Sequence, residues 1–206
     1  AKDGVSTTSN RYKKQVNSLF ASASAGWRSF LYLDATLRVD ESSTLRSDNR
    51  TYLYPSVTGS FVFSDAPWMN DVSWLTFGKL RLGWAQVGND TEPYSIDKYY
   101  ASSNSSFGGI ANFELSSTLN NNMLKPERTN SWEIGVDMLV LNNRLGLDFT
   151  YYDNLSKDQI MAVQVAASSG YENKYFNAGS VINRGVELAI TGVPVRTKDF
   201  EWTVIL

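Results

Sequence analysis

The nearest approach to a catalytic arrangement in this chain is Glu133 and Asp137, two carboxylates on one stretch. Paired carboxylates can hydrolyse a glycosidic bond when they stand roughly 5–9.5 Å apart. Residues 132–140 alternate apolar and polar, so the pair lies on a strand. At about 3.3 Å per residue that places them about 13 Å apart, too wide for the task. The sequence has no His and no Cys. A Ser-His-Asp or Cys-His nucleophile is therefore excluded, and so are imidazole and thiolate metal ligands. Gly108-Gly109 is not followed by the Lys-Ser/Thr of a phosphate loop. Nothing here implies a cofactor. What remains are aromatic side chains in a long polar stretch: Tyr94, Tyr99, Tyr100, Phe107 and Phe113. They are the candidate binding residues, able to stack on a ligand or to pack on neighbouring loops.

The 206 residues carry a formal net charge of -2, which argues against a nucleic-acid partner. Aromatic residues make up 13%, with Gly and Ser plentiful, as in a protein of strands and turns. No run of about 18 apolar residues exists, so no membrane-spanning helix is expected. No signal peptide is visible; a membrane-spanning barrel needs one, so on that reading Ala1 is not the natural start.

The elements that must hold these residues are β-strands. Trp132, Ile134, Val136, Met138 and Val140 share one parity against Glu133, Gly135 and Asp137. Asn142-Asn143-Arg144 marks a turn. Leu145, Leu147, Phe149 and Tyr151 then oppose Gly146, Asp148, Thr150 and Tyr152. Two period-two runs around a short polar turn predict a β-hairpin. Similar runs fall at 14–25, 29–40, 51–64, 75–87, 181–191 and 200–206. Between 29 and 40, Asp34, Arg38 and Asp40 share a face, which is costly in a dry core and cheap beside water.

Connections after the first, third, fifth and seventh runs are short, and those after the second, fourth and sixth are longer. That rule describes an up-and-down barrel with one plain rim and one elaborate rim. Residues 88–130 form the longest break, beyond the roughly 12–15 residues usual for a structureless loop. Residues 156–174 are a second long connection, although Ile160–Ala167 could extend the preceding strand. Trp27, Trp68, Trp74, Trp132 and Trp202 near run ends read as interfacial belts. A soluble sandwich and a small closed eight-stranded barrel are the competing folds. Strand length and charged faces favour an all-β, antiparallel, up-and-down transmembrane barrel segment, with lipid on the apolar side.

Several stretches resemble a known family. Leu124-Lys125-Pro126-Glu127-Arg128-Thr129 with Trp132-Glu133-Ile134-Gly135, and Asn183-Arg184-Gly185-Val186-Glu187-Leu188, resemble signatures of TonB-dependent outer-membrane receptors. Tyr54-Pro55-Ser56-Val57, Gly78 to Trp84, Val87-Gly88-Asn89 and Asn143 to Tyr152 are similar to the SusC/RagA group of Bacteroidota. The resemblance implies that residues 1–206 are about eight strands of a barrel of about 22 strands. Periplasmic turns would be short and extracellular loops long. It implies an importer of oligosaccharide or oligopeptide cargo that performs no chemistry. Its partners would be a SusD-like surface lipoprotein, TonB through N-terminal parts not seen here, and outer-membrane lipid. The plug domain is not seen, and the chain stops inside a strand-like run at Leu206. A siderophore or cobalamin receptor of the same superfamily, or a non-transporting barrel or adhesin, is the alternative.

Overall fold

In the computed structural model, residues 11–69, 72–102, 110 and 112–206 are described. The strands are β1 (Val16–Trp27), β2 (Leu31–Ser42), β3 (Thr51–Val62), β4 (Leu75–Asn89), β5 (Tyr100–Ser102), β6 (Phe113–Leu115) and β7 (Thr118–Leu119). They continue with β8 (Glu127–Val140), β9 (Leu145–Lys157), β10 (Ile160–Gln164), β11 (Asn173–Asn177), β12 (Ser180–Arg196) and β13 (Glu201–Ile205). One eight-stranded antiparallel sheet runs β1-β2-β3-β4-β8-β9-β12-β13. The order is linear, and β1 and β13 are its edges, so the sheet does not close on itself as a small barrel.

Register carries the alternation across strands. Phe61, Leu80, Val136, Phe149 and Leu188 form one cross-strand row, and Gly59, Leu82, Ile134, Tyr151 and Val186 the next. On the other face Ser60, Arg81, Gly135, Thr150 and Glu187 align, as do Thr58, Gly83, Glu133, Tyr152 and Gly185. A soluble sheet of this size would bury its apolar face. Here Ile134, Leu145 and Phe149 stay 41%, 39% and 37% exposed. Among the described residues the buried apolar side chains are Phe30, Leu45, Val62, Ala66, Leu124 and Val193, none of them in those outward rows. A bare apolar surface this continuous needs hydrocarbon against it.

The turn at 141–144 holds Leu141, Asn142 and Asn143 at positive φ, and Arg28 and Ser29 do the same after β1. Another connection on that rim, between Val62 and Leu75, is longer than the one between Ser42 and Thr51 on the opposite rim, so the expected alternation of short and longer connections fails there. Phe30 is buried beside the longer connection, with the rings of Trp27, Phe61 and Trp68 packed edge-on at 5.2–6.0 Å. The Phe63 ring crosses Gly78 so closely that a Cβ there would meet ring carbon at 2.1 Å.

Several boundaries differ from expectation. The expected break of residues 88–130 holds β5, β6, β7 and the start of β8 at Glu127. Residues 193–196, which fell in the gap between the expected runs 181–191 and 200–206, are strand up to Arg196, because a bulge between Gly192 and Val195 accommodates Pro194, which has no N–H to give the ladder. Residues 160–164 do not extend β9. Asp158 at φ 57 turns the chain, and β10 joins a separate three-stranded sheet, β10-β11-β7. That small sheet ties the two long loops together. Asn177 Nδ2 donates to the Lys125 carbonyl at 2.7 Å, and Asn121 Nδ2 donates to that of Tyr175 at 3.0 Å.

The Trp residues sort by height. Trp27, Trp68, Trp74 and Trp202 sit at the tight-turn end, while Trp84 and Trp132 pair at 6.1 Å further along. From Trp132 to Val140 is about 20 Å of height for a strand tilted by about 40°. That matches an apolar band of roughly 25 Å flanked by aromatic girdles.

Candidate functional site: the polar wall and the outer loops

The polar face is built on glycines. Gly135 of β8 pairs with Arg81 of β4, and a Cβ on Gly135 would lie 2.9 Å from Arg81 Nη2. Bare backbone there lets the guanidinium lie flat along the wall and cross to β9. Arg81 Nη2 reaches Asp137 at 3.2 Å and Asp148 at 3.1 Å, and donates to Thr150 Oγ1 at 3.3 Å. Arg81 Nε is buried without a partner among the described residues. Gly185 of β12 does the same for Tyr152, whose hydroxyl lies 2.7 Å from where a Cβ would be. The glycines of the WEIG and NRGVE stretches are thus shelves for a neighbour's long side chain.

Between these flattened side chains lies an open concavity of about 750 Å³. Arg81, Glu133, Asp148, Tyr152, Asn154 and Glu187 are among its lining. It offers hydrogen-bond donors and acceptors with an excess of carboxylate. It holds no nucleophile–base pair. Glu133 lines the concavity while Asp137 is bound to Arg81, so the two carboxylates serve separate contacts.

The loop aromatics are spread out. Tyr94, at φ 67, is held by its carbonyl, which accepts from Asn120 Nδ2 at 3.0 Å. Tyr99 borders a narrow crevice with Leu115 and Tyr171. Tyr100 opens β5 opposite Leu115, and Phe113 opens β6 opposite Ser102. All four are more than half exposed. Phe107 lies outside the described residues. The structure therefore brings Tyr100 and Phe113 onto one two-stranded ribbon and leaves Tyr94 apart from it.

Sequence reasoning placed Arg81 and Tyr152 on the polar face but missed the contacts they make across strands, and it missed Asn154. The available signal was a Gly at the same parity on an adjacent run, which becomes readable once register is known.

At the rim of the long loops, Asp90 receives hydrogen bonds from Lys14, Ser42 and Thr44. Its side chain is 7% exposed. Burial pushes the Asp90 carboxyl upward, but those donors together with the Lys14 charge outweigh it and hold it below the usual carboxylate range.

An apolar outer face, a polar inner face and aromatic girdles define a wall of transmembrane β-barrel type. Among the described residues no helix is long and apolar enough to span a bilayer. The whole chain, residues 1–206, matches the family described as TonB dependent receptor-like, beta-barrel. The chain belongs to that family, one of outer-membrane transporters and receptors and not of enzymes. It is 30% identical to the TonB-dependent receptor SusC of Bacteroides thetaiotaomicron over 81% of this chain and 17% of that protein. It is 28% identical to the TonB-dependent receptor P26 of Formosa agariphila over 91% of this chain and 19% of that one. The fold superposes on the RagAB peptide transporter with a TM-score of 0.84 and 25% identity, over 93% of this chain and 21% of that one. For the siderophore receptor PirA of Pseudomonas aeruginosa the TM-score is 0.62 at 18% identity, over 93% of this chain and 33% of that one, a likeness of fold alone. The chain spans about a fifth of the length of the curated relatives it matches.

Proposed function

We propose that this chain is a multi-pass stretch of barrel wall from a SusC-type importer in the outer membrane of a Bacteroidota cell. The parent protein draws glycan or peptide cargo inward with energy delivered through TonB. A SusD-like lipoprotein covers its long-loop rim. The chain supplies lipid-facing surface, lumen lining and outer loops, and performs no covalent chemistry. The observation that carries this reading is the fold match: 0.84 with the RagAB peptide transporter against 0.62 with the siderophore receptor PirA. The 30% identity with SusC points the same way. Tyr94, Tyr99, Tyr100, Phe107 and Phe113 are assigned to contacts with the lipoprotein or the cargo. The exposure of the four described ones leaves their rings available.

The test is deletion of residues 102–113 from the full-length parent, with cargo uptake and outer-membrane barrel content measured on the same cells. Reduced uptake at unchanged barrel content is the expected result. Normal uptake overturns the loop assignment. Uptake that persists after the proton-motive force is collapsed overturns the TonB-powered reading.

A further inference from the structure

Strands β3 and β4 pair from Ser56–Ala85 to Val62–Lys79 and no further, although both continue toward the long-loop rim. Pro55, without an N–H, stands where the ladder stops. The sheet splits there, while β2–β3 and β4–β8 stay paired beyond it. Tyr54 lies in the split: a Cβ on Gly88 would meet its Cε1 at 2.6 Å and its hydroxyl at 2.7 Å.

Toward lipid the split borders a concavity of about 430 Å³. Leu53 and Pro55 of β3, Gln86 of β4 and Arg128 of β8 line it at the outward parity, and Lys125 lines it just before β8. Register fixes the height. Going up the outward face from the apolar rows, one row holds Trp84, Trp132, Asp153 and Arg184. The next holds Gln86, Asn130, Leu155 and Ile182, and the one above it Gly88, Arg128, Lys157 and Ser180. From Trp132 to Arg128 is about 13 Å along the strand, or about 10 Å of height at a tilt of about 40°. Side chains as long as Arg and Lys reach headgroups from there.

Arg128 and Lys157 stand directly opposite each other, an arrangement that repels because such Cβ atoms are about 5 Å apart. Among the described residues neither side chain has a hydrogen bond or an ion pair, and the Lys125 ammonium has none either. The nearby carboxylates are engaged elsewhere. Asp153 faces Arg184 at 3.6 Å, Asp48 faces Arg46 at 3.5 Å, and Glu127 Oε1 accepts the Ile160 N–H at 2.8 Å. Asp158, exposed in the turn after β9, is the remaining acid, set against Lys125, Arg128 and Lys157. Like charges held together beside an open groove are stabilised by an anion. Phosphate suits them, accepting two parallel bonds from Arg and a point-charge contact from Lys. Leu53 and Pro55 continue the apolar surface up into the groove, which rewards a phosphate that carries acyl chains and gives a free ion nothing.

We infer that Arg128, Lys157 and Lys125, with the groove at the β3–β4 split, bind the phosphate of an outer-leaflet lipid on the outward face of the barrel. The inference rests on the outer-membrane barrel reading and adds the lipid chemistry that this wall selects.

The full-length parent with its lipoprotein, in neutral detergent, is offered phosphorylated lipid A, the same lipid with its phosphate removed, and inorganic phosphate. Native mass spectrometry counts bound lipid, and the unfolding temperature follows the barrel. The phosphorylated lipid should be retained and should raise the unfolding temperature, with the other two binding at least about tenfold more weakly. Arg128→Gln combined with Lys157→Gln should weaken the phosphorylated lipid by about tenfold or more. Lys157→Gln alone should leave the unfolding temperature level or higher in lipid-free detergent, where it removes a repulsion, and lower it in phosphorylated lipid. A lysine with a merely structural role would lower it in both, and that result overturns the site. Equal retention of the two lipids, inorganic phosphate binding as tightly as lipid, or release of the lipoprotein by the double variant in place of lipid overturns it as well. Phe149→Arg separates the two readings. If that change is costly in a bilayer while phosphate selectivity fails, the headgroup site falls and the barrel reading stands; if it is harmless, the outward assignment itself falls.

Discussion

At the residue scale, small side chains decide what large ones can do. Gly135 is required because Arg81 occupies the space of its missing side chain. Gly135→Leu therefore lifts Arg81 away from Asp137 and Asp148 and leaves two carboxylates facing each other. We expect the parent barrel's unfolding temperature to fall. Gly83→Ala is the control: the nearest atom to its Cβ is Glu133 Cβ at 3.9 Å, ordinary contact, and the temperature should hold. A measured ranking in the opposite order would remove the shelf argument. Asp90 gives a pH prediction. Its folded carboxyl is held below the unfolded value of about 3.9. Above about pH 4 it is ionised in both states, and its contribution to stability is fully present. As pH falls from there through the lower folded value, that contribution is lost. Asp90→Asn should thus lower the unfolding temperature at pH 7, and the gap from the native protein should close as the medium is acidified below about pH 4. A gap that widens on acidification contradicts the assignment.

At the element scale, each strand has one face for lipid and one for water, and the cost of a charge depends on height. Val136, Phe149 and Leu188 lie midway between the two Trp levels. Phe149→Arg should cost about 2–4 kcal/mol of folding free energy in a bilayer, against about 0–1 kcal/mol for Trp132→Arg near the girdle. Denaturant titration of the parent barrel in lipid vesicles measures both. Equal costs would mean that these rows do not face hydrocarbon. The strand alternation was legible in the sequence because side-chain direction reverses at every residue of any extended backbone. The ends were less legible. Residues 193–196 fell between two expected runs, but a bulge near the edge strand carries them, with Pro194, inside β12.

At the scale of the whole chain, the sheet is open. Among the described residues β1 and β13 present unpaired ladder edges, and the apolar face has no covering layer. Residues 1–206 expressed alone and folded into detergent should not behave as a closed barrel: unheated gel mobility should match the heated sample, whereas the parent should shift on heating. A compact, heat-modifiable monomer would mean that the edges can close on each other. Above the sheet, β10-β11-β7 joins the two long connections into one layer. Parallel pairing of β11 with β7 across a long separation left no local trace in the sequence.

The sequence by itself determined the class of element, the polarity of each face, the absence of His- and Cys-based chemistry and the tight turn at 141–144. Each of these depends on neighbours in the chain or on residue inventory alone. Tertiary structure decided the rest. It set Arg81 over Gly135, Tyr152 over Gly185 and Tyr54 against Gly88, and it opened the β3–β4 split. Those contacts join residues far apart in sequence, and inter-strand register, which no single strand's pattern contains, selects them.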